Sequence, residues 1–144
     1  MDKQEYQARV AWLRRYRQAV RRQRLLSELL AERHAEAERI GPLLRPSPGG
    51  PRQSAVRADK LPRAVERILA AEADLAQQMR RCEAERAAVL AAIHSLPDER
   101  QREVLCRRYI LGQTFEQIAG CLHINERWVY RLHRKGVDCL DFGQ

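Results

Sequence analysis

Between Lys3 and Ile40 the chain contains neither glycine nor proline. A stretch of that length without a breaker, rich in Arg, Leu, Ala, Glu and Gln, folds most readily as one helix, about 57 Å long at 1.5 Å per residue. Tyr6, Val10, Leu13, Tyr16, Val20, Leu26 and Leu30 follow one another at three, four or six residues, with a break around Gln23 and Arg24. Residues 1–40 therefore read as a long helix with an imperfect heptad seam. Gly41, Pro42, Pro46, Pro48, Gly49, Gly50 and Pro51 then mark residues 41–60 as a flexible linker. A second long helix is predicted over 61–95, with Pro62 in its first turn. Its seam is Ile68, Leu75, Met79, Cys82, Val89, Ile93 and Leu96, with Glu72 and Arg86 at the skipped positions. Each stripe needs cover, either from the other helix packed antiparallel or from a second copy in a bundle.

Charged residues make up 32% of the chain and aromatics 6%, a composition suited to helices with wet faces and ill-suited to a sandwich or barrel. No apolar run approaches the length of a membrane span, and the polar start is no signal peptide, so a soluble, unexported, cytoplasmic protein is expected. Cys82, Cys106, Cys121 and Cys139 form no CxxC pair and read as ordinary reduced thiols. Cys121, His123, His133 and Cys139 only loosely evoke a zinc site, and neither a metal nor a cofactor is expected. The net charge of +8 is almost wholly arginine, which suits bidentate phosphate and guanine contacts and also follows from GC-rich codon usage. Residues 1–45 carry 11 basic against 6 acidic groups, whereas 97–144 carry 8 against 7. The excess is concentrated in Arg9, Arg14, Arg15, Arg17, Arg21, Arg22 and Arg24, with no acid between them. Such a cluster is either a nucleic-acid contact or the wet face of the paired helices.

From residue 96 the pattern changes. Pro97, Asp98 and Glu99 open a helix carrying Val104, Leu105, Tyr109 and Ile110, and Gly112 supplies its left-handed stop. Thr114 with Gln117 forms a T-x-x-Q capping box for a shorter helix that buries Phe115, Ile118, Ala119 and Leu122. A turn through His123 leads to Asn125, the N-cap of a third helix reaching about Leu140. Val129, Leu132, Val137 and Leu140 face inward there, and Glu126, Arg127, Tyr130, Arg131 and Arg134 outward. Trp128 is expected to pack and His133 to face solvent. Residues 96–144 thus have the dimensions of a helix-turn-helix domain, and the whole chain reads as all-α, two long helices followed by this three-helix unit.

The segment LPDERQREVLCRRYILGQTFEQIAGCLHINERWVYRLHRKGVDCL, residues 96–140, resembles region 4 of the sigma-70 family. With the two long helices before it, the chain resembles phage and prophage region 4-like proteins of Gram-positive bacteria, some of them late-gene activators. The resemblance implies a nucleoid-associated transcriptional regulator that binds double-stranded DNA, with RNA polymerase and a homodimer through the long helices as further partners. It places base contacts on Glu126, Arg127, Tyr130 and Arg131 at the start of the third helix, after its cap Asn125. Phosphate contacts fall on Thr114, Arg134 and Lys135. The sequence departs from the pattern at His123 in place of the tight-turn glycine, at Gln117, at Arg107 and at Gly136. No region 2 for promoter melting is recognisable in residues 1–96, so no independent sigma activity is expected. Catalysis is not expected either, for want of a phosphate-cradling loop, paired carboxylates or a nucleophile with its base. A DNA-packaging recognition protein, the small subunit of a phage terminase, is the alternative; a module that binds only polymerase or an anti-sigma partner is the third reading.

Overall fold

The computed structural model describes residues 2–41 and 51–142, with side chains outside 51–58. Its helices are α1 (Lys3–Leu13), α2 (Arg15–Ile40), α3 (Pro51–His94), α4 (Glu99–Tyr109), α5 (Phe115–Leu122) and α6 (Glu126–Cys139). There is no strand among the described residues, so the chain is all-α with the helix-turn-helix last.

The long helices differ from their expected bounds. The helix expected over 1–40 is interrupted at Arg14. That residue keeps right-handed dihedrals, φ −72° and ψ −10°, and its carbonyl accepts from Gln18 N at 3.0 Å. The second long helix starts at Pro51, so residues 51–60 are helix rather than linker. Pro51 stands at a first helical position, where its missing N–H costs nothing. No glycine or proline separates it from Pro62, and Pro62 lies inside the helix rather than in its first turn. The rest of the expected linker, residues 42–50, lies outside the described residues.

The described chain divides into two compact units, residues 1–20 with 81–144, and residues 21–80. This division cuts across the expected stalk and domain: the first twenty residues belong with the C-terminal helices. In the 21–80 unit α2 and α3 run antiparallel, with Glu36 paired to Arg67 at 2.9 Å and His34 lying 3.9 Å from Glu72. Along α3 one stripe of covered positions, Leu61, Ala64, Ile68, Ala71, Leu75, Gln78, Cys82, Glu85, Val89 and Ala92, alternates steps of three and four, and the expected Ile93 is buried beside its end. The seam is therefore one residue off the expected one at Met79, which is 49% exposed while Gln78 is buried. An apolar-only search skips Gln78 and Glu85, the polar members of the repeat.

The other unit has two cores. Leu13, Val89, Ile93, Leu96, Leu105, Tyr109, Val137 and Leu140 form the larger, joined by Tyr6, Val10, Trp12, Tyr16 and Phe142. Val104, Ile118, Val129 and Leu132 form the smaller, wedged by Phe115, Ala119, Leu122 and Ile124. The second is the helix-turn-helix core expected from the sequence; the first fastens α1 and the end of α3 onto it. Arg15 is paired with Glu85, joining the start of α2 to α3 within this unit. Both cores remove large apolar side chains from water, each worth about 1.5–3 kcal/mol when fully buried.

Candidate nucleic-acid interface

Local signals set the helix-turn-helix. Asp98 caps α4, its carboxylate accepting from Arg100 N at 2.9 Å and Gln101 N at 3.1 Å, so Pro97 stands just before the helix rather than in its first turn. Gly112 takes φ +74° after α4, the left-handed stop expected there. The capping box at α5 is complete: Gln117 N donates to Thr114 Oγ1 at 3.1 Å and Thr114 N to Gln117 Oε1 at 2.9 Å. His123 closes α5 in the left-handed region at φ 56°, ψ 40°, the geometry that usually calls for glycine. The substitution of histidine therefore leaves the tight turn in place. Asn125 caps α6, its side-chain oxygen accepting from Trp128 N at 2.8 Å.

Every DNA-contact residue expected from the sequence is exposed: Thr114, Asn125, Glu126, Arg127, Tyr130, Arg131, Arg134 and Lys135. On α6 they fall on two ridges of i, i+4 spacing. Glu126, Tyr130 and Arg134 make one ridge, which leans on the rest of the unit. Tyr130 stacks on Phe115 with ring centroids 4.5 Å apart, its hydroxyl reaches Glu126 at 3.4 Å, and Arg134 lies 4.8 Å over the Tyr6 ring. Arg127, Arg131 and Lys135 make the other, with Arg131 5.8 Å over the Trp128 ring. Trp128 is 40% exposed and so is not the packing residue expected. Thr114 and Asn125 stand apart from both ridges at the N-termini of their helices.

His133 is a correction: it is buried rather than solvent-facing. The Tyr109 hydroxyl meets its Nε2 at 2.7 Å and the Tyr6 hydroxyl its Nδ1 at 3.3 Å. A neutral imidazole has one N–H and one bare nitrogen, so one hydroxyl donates while the other accepts. Burial pushes the imidazole down from 6.5 to about 4, with the Arg108 and Arg14 guanidinium groups adding to the effect. Burial likewise pushes the Tyr109 hydroxyl up to about 12. A signal was available, because His133 shares the i, i+3, i+4 face of Val129, Leu132, Gly136 and Val137. Gly136 permits that face to close on α4, since a Cβ there would meet Leu105 Cδ1 at 3.1 Å.

The N-terminal arginines do separate work. Arg9 Nη1 donates to the carbonyls of Val137, Asp138 and Leu140 at 3.0, 2.9 and 3.2 Å, closing the C-terminus of α6. Arg17 covers the Gly112 turn and donates to Ile110 O at 3.4 Å. With Arg15 held by Glu85, three of the seven clustered arginines have structural partners that spacing could not reveal.

The layout is that of the helix-turn-helix class: a capped α5, a left-handed corner and an α6 whose outer face is free. Residues 92–141, about a third of the chain, match the family model described as Sigma-70, region 4, and form a region 4-like helix-turn-helix domain. No curated protein and no solved structure matches the chain. No described helix is long and apolar enough to cross a membrane, and no group of His, Cys, Asp and Glu that could hold a metal occurs among the described residues.

Proposed function

We propose that the chain is a transcriptional regulator of phage or prophage origin that reads double-stranded DNA by laying α6 in the major groove. The observation that carries this is the pair of exposed ridges on a helix fixed at both ends, capped by Asn125 at one and by Arg9 at the other. Arg127 and Arg131 are the base readers, each able to present two donors to guanine O6 and N7. Glu126 accepts from a cytosine amino group, and Tyr130 packs on a base edge or sugar. Thr114 and Asn125 present helix N-termini to phosphates, and Arg134 and Lys135 add charge. The antiparallel pair of residues 21–80 serves as a coiled-coil element for homodimerisation or for docking on RNA polymerase. Apolar surface at Leu25, Leu29, Val65 and Leu69, each at least 44% exposed, supports that role. The family match favours regulation over the DNA-packaging alternative.

Selection of bound sequences from random duplex DNA tests the proposal. An enriched motif is expected, relaxed at one or two positions by Arg127→Ala and Arg131→Ala, at about 1–3 kcal/mol of discrimination per bidentate contact. The absence of any enriched motif refutes the reading.

A further inference from the structure

A cleft of about 650 Å³ opens between α1, α4 and the leaning ridge of α6. Arg14, Arg108 and Arg134 line it, with Tyr6, Phe115 and Tyr130 among the aromatic walls, and no acidic residue among those lining it. The arginines are not equivalent. Arg108 is tied to Gln113 O at 3.0 Å and lies 4.5 Å over the Phe115 ring, and Arg134 stacks on Tyr6. Arg14 is exposed, and its guanidinium makes no hydrogen bond or ion pair to the described residues. Both Arg14 and Arg108 act electrostatically on the buried Tyr109–His133 pair. Three arginines, two of them held in place, thus line one concavity with no carboxylate among its lining residues. Such a site draws an oxyanion, and guanidinium groups suit phosphate best.

We infer that this cleft takes a backbone phosphate of the bound DNA, and that Arg14, from the junction of α1 and α2, is the residue that contacts it. The inference rests on the proposed major-groove reading. The cleft shares Tyr130 and Arg134 with the ridge beside the groove-reading surface, so a strand flanking α6 passes its mouth. Arg14 lies outside the matched residues 92–141, so the N-terminal segment adds a DNA contact to the region 4-like domain. Charge agrees: residues 97–144 alone carry net +1, whereas the compact unit of 1–20 and 81–144 carries 15 basic against 11 acidic residues, net +4.

Salt dependence of binding reads the contact directly, since each phosphate neutralised contributes about 0.9 to the slope of log K against log salt. The assay is fluorescence anisotropy of the full chain on a selected duplex. Arg14→Gln is expected to lower the slope by about 1 and the affinity roughly tenfold at 0.1 M salt, with the preferred sequence unchanged. Arg86→Gln, the same charge removed outside the cleft, is expected to leave the slope unchanged. A thermal melt matching wild type shows that Arg14→Gln folds. An unchanged slope in Arg14→Gln, with Arg127→Ala still relaxing preference, overturns the cleft inference and leaves the groove reading standing. Loss of all sequence preference in the wild type overturns both. Inorganic phosphate at constant ionic strength is expected to compete with DNA for wild type and not for Arg14→Gln. Phosphate binding that needs Arg14 while the DNA slope does not assigns the cleft to a free anion and overturns the DNA contact.

Discussion

Acidification should destabilise this fold through one residue, His133. The imidazole is buried, is held between the Tyr109 and Tyr6 hydroxyls, and ionises only near pH 4 instead of 6.5. Between those values the unfolded chain binds a proton at this position that the folded chain refuses. Stability is therefore fully present above about pH 6.5 and falls as the pH drops through that window, levelling off below pH 4. At about 1.4 kcal/mol per pH unit the whole window is worth on the order of 3 kcal/mol, with about 2 kcal/mol already lost at pH 5. Marginal domains have only about 5–15 kcal/mol in total, so the loss is visible.

The measurement is urea unfolding followed by far-ultraviolet circular dichroism at pH 7, 6 and 5. It is repeated on His133→Gln, which keeps a hydrogen-bonding side chain and cannot titrate. The variant begins less stable at pH 7, because the buried hydroxyls lose their fitted partner. Its stability should then fall less than the wild type's over the same window, by about 2 kcal/mol at pH 5. Parallel curves for the two proteins, or a His133 resonance titrating near 6.5 in the folded state, would refute the account of a desolvated, neutral imidazole.

Two further substitutions test the fastening of the N-terminal segment. Arg9→Ala removes a charged donor shared by three carbonyls at the end of α6 and should cost about 2 kcal/mol, a fall of roughly 10 °C in the melting temperature of a unit this size. A change below about 0.5 kcal/mol would show that the C-terminus of α6 does not depend on it. Gly112→Ala puts a Cβ at φ +74° and 2.7 Å from the Arg17 guanidinium, and should destabilise by about 1–2 kcal/mol in denaturant melts.

What the sequence disclosed follows from the range of its signals. Caps and stops are local: Thr114 with Gln117, Asn125 and Gly112 each act within a few residues, and the folded chain uses all of them as expected. The inward residues of α6 were equally legible, because a 3.6-residue period survives in a single helix. Long-range partners leave no such trace. Nothing around Arg9 signals that it ends a helix 128 residues away, and Arg15 looks the same whether it faces water or Glu85. Polar residues on a buried face mislead in the same way. His133 and Gln78 are polar by type, yet their positions lie on the buried faces of their helices.

The division of labour among the arginines bears on how this domain is built. The back of α4 and the end of α6 carry Leu105, Tyr109, Val137 and Leu140, apolar side chains that need cover from water. Here α1 and the end of α3 supply it, through Leu13, Val89 and Ile93, all fully buried. Arg9, Arg15 and Arg17 reinforce that packing by satisfying a helix end, a carboxylate and a turn. Glu85 neutralises Arg15, and backbone carbonyls occupy donors of Arg9 and Arg17, so fewer of their N–H groups are available for a direct phosphate contact. Arg14 is next in sequence to Arg15 yet points to the cleft, because successive helix positions are separated by about 100°. Arginine density by itself therefore overstates the charge available to DNA, and helical phase decides which members of the cluster can reach it. Neutralising Arg14 and neutralising Arg15 are consequently different experiments: the first should lower the salt slope without unfolding, and the second should lower stability.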